Sequence, residues 1–157
     1  MAVQSALYDE ISTMLVESDL FNHLPSAELR TAAHYFSITK LVADEVIFHE
    51  GEIGNFMCIV HEGSVHVIKT NQNEEQIEVV KLGNGRAFGE MAVLDGERRS
   101  ATCQAAEDSV VLTLSKDALD QMLEEHPRMA ARIIRAIAVS LSRRLRMAVG
   151  QLVDYID

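Results

Sequence analysis

Apolar positions change their spacing twice along the chain. From about Ser5 to Ser18, Ala6, Leu7, Ile11, Met14 and Leu15 recur three or four residues apart, the period of a short amphipathic helix. A second helix is predicted to start near Pro25, because proline suits a first helical turn and Leu29, Ala32, Ala33 and Phe36 follow at helical spacing. From Ile38 to Leu114 short β-branched or apolar runs replace that period: Ile38–Val42, Val46–Phe48, Phe56–Val60, Ser64–Ile68, Ile77–Leu82, Ala101–Ala105 and Val110–Leu114. Gly51, Gly54, Gly63, Gly83, Gly85, Gly89 and Gly96 punctuate them, and the polar run Thr70–Glu75 predicts a hairpin. Many short strands at this spacing predict a small antiparallel roll or barrel.

After Leu114 the helical period returns. Ser115 is the expected N-cap of a helix through Leu119, Met122 and Leu123, which Pro127 should interrupt. The last helix then carries Met129, Ile133, Ile137, Leu141, Leu145, Ala148 and Leu152 in one apolar stripe. At about 1.5 Å per residue such a helix must run along the roll or leave it. Its first half, Met129 to Ile137, is expected to pack on its own domain, whereas Leu141 to Ile156 extends further and is free to pair with a second copy or to stay uncovered. The predicted fold is α+β: a small antiparallel β-roll, a jelly-roll-like barrel, flanked by N-terminal helices and a long C-terminal helix. It forms a single domain over residues 1–157, with helices over 1–36, the roll over 37–114 and C-terminal helices over 115–157.

Charge narrows the function. The net charge of −10 repels polyanions, so DNA is not an expected partner. The asymmetry is informative: residues 1–127 hold 8 Lys/Arg against 22 Asp/Glu, whereas residues 128–157 hold 6 Arg against 2 Asp. Most of those arginines should form a solvated face, with one or two meeting the acidic body or an acidic partner. No apolar run is long enough to span a bilayer and the first ten residues have no leader pattern, so a cytoplasmic protein without a membrane partner is expected. Cys58 and Cys103 each lie in a strand-like run and are expected to be reduced packing residues.

The candidate chemistry is concentrated in residues 85–105, GRAFGEMAVLDGERRSATCQA. Taken alone, an acid after a glycine and an arginine nine positions later are the parts of a loop salt bridge. The whole stretch, Phe88, Gly89, Glu90, Met91, Ala92 and Val93, then Arg99, Ser100, Ala101 and Thr102, resembles the phosphate-binding cassette of the cyclic-nucleotide-binding domain family. That family includes catabolite activators and protein kinase regulatory subunits. Gly51 in HEGE and Gly63 in VHEGSV stand where the family turns its strands.

The resemblance implies a non-catalytic sensor of cyclic AMP, with cyclic GMP left open, that needs no metal. Its implied ligand-binding residues are Phe88, Gly89, Glu90, Met91, Ala92, Arg99, Ser100 and Ala101. Their chemistry suits the parts of such a ligand. A guanidinium pairs two phosphate oxygens at once, which an ammonium cannot do. A one-turn helix over Gly89–Ala92 would point free N–H groups at the same anion, glycine permitting close approach. An ionised Glu90 can only accept, so it would take the ribose 2′-hydroxyl's proton. Arg98 stands where the family usually has proline; either it is solvated beside a looser loop or it competes with Arg99. In the family alanine at the position of Ser100 accompanies cyclic AMP, threonine often cyclic GMP, and serine occurs in catabolite activators.

The segment SLSRRLRMAVGQLVDYID resembles the dimer helix of the catabolite activators, and the match puts Ala148 and Val149 where that family reaches the adenine. Neither can donate a hydrogen bond, so base recognition must come from stacking, from strand residues or from elsewhere on the tail. The chain ends where those relatives begin a DNA-binding module, which implies a stand-alone domain signalling to an unknown effector protein. Ligand capture around Arg99 would shift Val93 and Leu94 and give the terminal helix a different surface. Two alternatives remain: a degenerate cyclic-nucleotide-binding fold used for dimerisation or docking, and a cupin-like metal enzyme. The second fits poorly, because His61 and His66 are five apart and His49 is followed at once by Glu50.

Overall fold

The computed structural model describes the backbone of residues 2–156 and the side chains of residues 2–152. Two helices, α1 (Ala2–Val16) and α2 (Ser26–Ala33), precede eight strands. These are β1 (Ser37–Leu41), β2 (Val46–Phe48), β3 (Phe56–Glu62), β4 (Val65–Thr70), β5 (Gln76–Leu82), β6 (Ala87–Phe88), β7 (Thr102–Ala105) and β8 (Ser109–Ser115). A short helix, α3 (Glu90–Asp95), interrupts them between β6 and β7, and α4 (Lys116–Glu125) and α5 (Pro127–Ile156) follow. The strands form two antiparallel four-stranded sheets, β1-β8-β3-β6 and β2-β7-β4-β5, so the expected α+β roll flanked by helices is present. Strand β6 has only two residues and no alternating pattern, and it escaped the sequence reading; it exists because Phe88 and Ala87 pair with Cys58 and Ile59 of β3.

Strand periodicity explains why there are two cores. Along β3, Met57 and Ile59 face the helices, while Cys58 and Val60 face the inside of the roll. Strand β8 does the same with Leu112 and Leu114 on one side and Val111 on the other. The helical core adds Ile11, Leu15, Phe21, Phe36, Leu119, Met122, Ile133 and Ile137, all buried. Each such side chain contributes about 1.5–3 kcal/mol of burial. The roll core is smaller, with Leu41, Phe48, Val65, Leu82, Phe88 and Cys103.

The predicted helix boundaries hold where a cap defines them. Ser115 accepts a hydrogen bond from the Ala118 N–H at 3.0 Å, and Pro127 separates α4 from α5. Leu7 and Leu123, at the apolar positions of α1 and α4, are 41% and 38% exposed. The apolar stripe of α5 divides as its length demands: Met129, Ile133 and Ile137 are buried, while Leu145 and Leu152 are 65% and 62% exposed. The side chain of Ile156, with which the free part of the stripe was expected to end, lies outside the described residues.

Candidate functional site

The local fold around residues 85–105 is set by glycines. Gly89 lies in the left-handed region at φ 74° and caps α3, a conformation that costs an ordinary residue about 1–2 kcal/mol. A Cβ there would also stand 2.7 Å from Arg99 Nη1. Gly54 matters for a different reason: its Cβ would lie 2.5 Å from Ala92 Cβ and 2.6 Å from Arg99 Nε. The turn after β2 is laced to the far end of the cassette. Gly51 N donates to Arg99 O (2.9 Å), Arg99 N to Glu52 O (2.7 Å) and Gly54 N to Glu97 O (3.0 Å). The HEGE glycine therefore belongs to the scaffold that aims Arg99.

Arg99 is 5% exposed. Its Nη1 donates to Gly89 O at 3.1 Å and its Nη2 to Phe56 O at 2.7 Å. Its guanidinium carbon lies 3.8 Å from the Phe48 ring centroid and 4.6 Å from that of Phe56. Burial holds its pKa below the ordinary arginine value, against smaller opposing effects of Cys58, Cys103 and Glu52. Among the described residues no carboxylate lies within ion-pair distance of it. A buried cation without a counter-ion is costly, and the two aromatic faces offset only part of that cost.

Glu90 opens α3 and is 1% exposed. Its Oε1 forms an ion pair with Arg144 Nη2 of α5 but has no aligned hydrogen-bond donor. Burial, and secondarily the neighbouring Arg86, lower the Arg144 pKa from its ordinary value. Arg132 likewise bonds Glu28 of α2, so two tail arginines meet the acidic body. The sequence expected such pairs from the opposite charges of the two segments but could not say which arginines make them.

All eight predicted ligand-binding residues, Phe88, Gly89, Glu90, Met91, Ala92, Arg99, Ser100 and Ala101, line one cavity of about 1170 Å³ between the cassette, β4–β5 and α5. The cavity wall carries seven arginines, 86, 98, 99, 132, 135, 143 and 144, against Asp19, Glu90, Asp95 and Glu97. A chain with a net charge of −10 thus holds a locally cationic basin suited to an anion. Arg98 is exposed at the rim, where its Nη1 donates to Gly51 O at 2.8 Å. The Ser100 carbonyl accepts from Lys69 Nζ at 2.7 Å. Ala148 and Val149 are not among the cavity-lining residues; Met147, one position earlier, is. Sequence reasoning missed Phe48, Phe56, Gly54 and Arg144, whose roles depend on contacts between distant segments.

Cys58 and Cys103 are buried free thiols, and burial pushes each pKa up to about 12. No group of three metal-ligating side chains occurs among the described residues. No helix among them is long and apolar enough to cross a membrane.

The sequence model of the cyclic nucleotide-binding domain matches residues 38–126. A cyclic AMP receptor protein from Thermus thermophilus is 32% identical over 131 residues, covering 83% of this chain and 59% of its own length. A cAMP-dependent protein kinase regulatory subunit from Mycosarcoma maydis is 33% identical over 123 residues, covering 75% of this chain and 23% of its own. The chain thus spans 59% of the first relative and under a quarter of the second. The crystal structure of a cyclic nucleotide-binding domain from Methylobacillus flagellatus superimposes with a TM-score of 0.82 at 27% identity, covering 96% of this chain and 85% of that one.

Proposed function

Because the chain belongs to the cyclic nucleotide-binding domain family, we propose that it is a non-catalytic cytoplasmic sensor of one domain, which binds a cyclic purine nucleotide, cyclic AMP or cyclic GMP, and signals through α5 to a partner protein. The observation that carries this reading is Arg99: a buried guanidinium, clamped by two carbonyls and two rings, facing a cationic cavity and, among the described residues, with no carboxylate within ion-pair distance. Two of its N–H groups serve the clamp, which leaves others for the exocyclic phosphate. The unpaired first-turn N–H groups of α3 can turn to the same charge, and Ser100 and Ala101 close the loop around it.

Glu90 then accepts the ribose 2′-hydroxyl on Oε1, the oxygen that lacks an aligned donor. Because that oxygen is also the one paired with Arg144, a ligand in the cavity alters the tie between the cassette and α5. The ligand shifts α5 only by its differential affinity for the two arrangements. The exposed stripe of Leu145, Val149 and Leu152 offers a face for a two-fold helix pair.

Isothermal titration with cyclic AMP, cyclic GMP and 2′-deoxy cyclic AMP tests the reading, with Arg99→Lys and Glu90→Gln as variants. A hydrogen bond to a charged group contributes roughly 1.5–3 kcal/mol, so loss of either contact should weaken binding about tenfold or more. Binding that needs both residues and the 2′-hydroxyl supports the sensor. Silence with every nucleotide moves the reading to a docking module. Unchanged hydrogen exchange in residues 128–152 on ligand addition would reject the α5 output.

A further inference from the structure

The sensor reading leaves open what recognises the base, and the cavity's open side bears on it. Val79 and Val80 of β5 and Val139 and Met147 of α5 line that cavity, yet are 61%, 43%, 41% and 66% exposed. Adjacent strand residues normally point to opposite faces. Here the register slips, because Val67 pairs with Val80 whereas Ile68 pairs with Glu78, which leaves Val79 as the extra residue of a bulge. A bulge re-aims side chains, and this one puts both valines at the cavity. The result is a cleft with apolar walls on β5 and α5, the shape and chemistry that a flat base fills by stacking.

The polar equipment of that cleft is one-sided. Arg143 lies one helical turn before Met147 and lines the cavity. Among the described residues it has no carboxylate within ion-pair distance, unlike Arg144 beside it. The other polar α5 residues lining the cavity are Ser140 and further arginines. The cavity's carboxylates, Asp19, Glu90, Asp95 and Glu97, stand after α1 and on the cassette, not on β5 or α5. A guanidinium has five donors and no acceptor, and its planar fork matches two acceptors side by side. Guanine offers such a pair in O6 and N7; adenine sets an amino group beside N7, which puts donor against donor.

Resting on the sensor reading, we propose that Arg143 reads the base and that the site selects an oxopurine cyclic nucleotide, cyclic GMP, over cyclic AMP. A bidentate pair of this kind discriminates by about tenfold or more.

The test is isothermal titration of the full chain with cyclic GMP, cyclic IMP and cyclic AMP, on the unaltered protein and on Arg143→Ala and Arg143→Lys. Cyclic IMP keeps O6 and N7 but lacks the 2-amino group, which separates Arg143 from any contact of Ser100 with that amine. The expected result is that cyclic GMP and cyclic IMP both bind about tenfold tighter than cyclic AMP, the ratio falling toward one in Arg143→Ala. Arg143→Lys keeps the charge without the fork and should lose most of the ratio as well. Cyclic AMP binding as tightly as cyclic GMP overturns the inference while leaving the sensor reading intact. So does a cyclic GMP preference that cyclic IMP does not share, or one that survives Arg143→Ala. Failure of every nucleotide to bind overturns both.

Discussion

Gly54→Ala adds one methyl group at the point where the turn after β2 touches the cassette. The glycine has no left-handed φ, so the perturbation is one of space. Its Cβ would meet Ala92 Cβ at 2.5 Å, Arg99 Nε at 2.6 Å and Arg99 Cζ at 2.7 Å. None of these is the loose end of a flexible side chain. Ala92 is buried on α3, and the Arg99 guanidinium is fixed by Gly89 O, Phe56 O and two aromatic faces. Forcing a methyl into such packing costs about 1–3 kcal/mol, and for a domain of this size Tm falls by roughly 2–4 °C per kcal/mol. If the strain is relieved by turning Arg99, the fork leaves its phosphate-facing position and nucleotide affinity drops about tenfold or more. The assay is thermal unfolding with nucleotide titration on Gly54→Ala, using Gly83→Ala as control because nothing lies within 4 Å of a Cβ there. A Gly54→Ala protein that matches Gly83→Ala in both Tm and affinity would refute the argument that Gly54 holds space for Arg99.

Two further outcomes are expected. Cys58 and Cys103 have native pKa values raised from 9.0 to about 12, so their contribution to stability is fully present below pH 9 and is lost as pH rises toward 12. The unfolded chain binds fewer protons in that window, and stability falls by about 1.4 kcal/mol per pH unit for each thiol. Urea midpoints measured from pH 8 to 10 should show the decline, and a Cys58→Ala/Cys103→Ala protein should decline much less, retaining only the onset of the same-sign effect of Tyr35, whose pKa is raised from 10.0 to about 12. Gly150 sits inside α5 with open space where a Cβ would go. Gly150→Ala should therefore stabilise the helix by about 1 kcal/mol, visible as greater helical ellipticity, and a loss of helicity would contradict the helical geometry at that position.

Local sequence pattern revealed the elements and their order, except for the two-residue β6. Periodicity is a local property, so the switch from helical to strand spacing near Ile38 and back after Leu114 was readable, as were the Ser115 cap and the break at Pro127. Family resemblance carried the cassette, because Gly89, Glu90 and Arg99 lie within one short stretch and their types match the chemistry of one ligand. The opposite charges of body and tail were legible too, and so was the excess length of α5. What the sequence could not supply was every contact that joins distant segments. Only the folded chain sets Phe48 and Phe56 against the Arg99 guanidinium, brings Gly54 within a methyl's reach of it, and pairs Glu90 with Arg144. The bulge that turns both Val79 and Val80 to the cavity has the same origin, since register is a relation between strands. Which helical position meets the cavity likewise depends on how α5 rotates as it packs Ile133 and Ile137, and that rotation presents Arg143 and Met147 there rather than Ala148 and Val149.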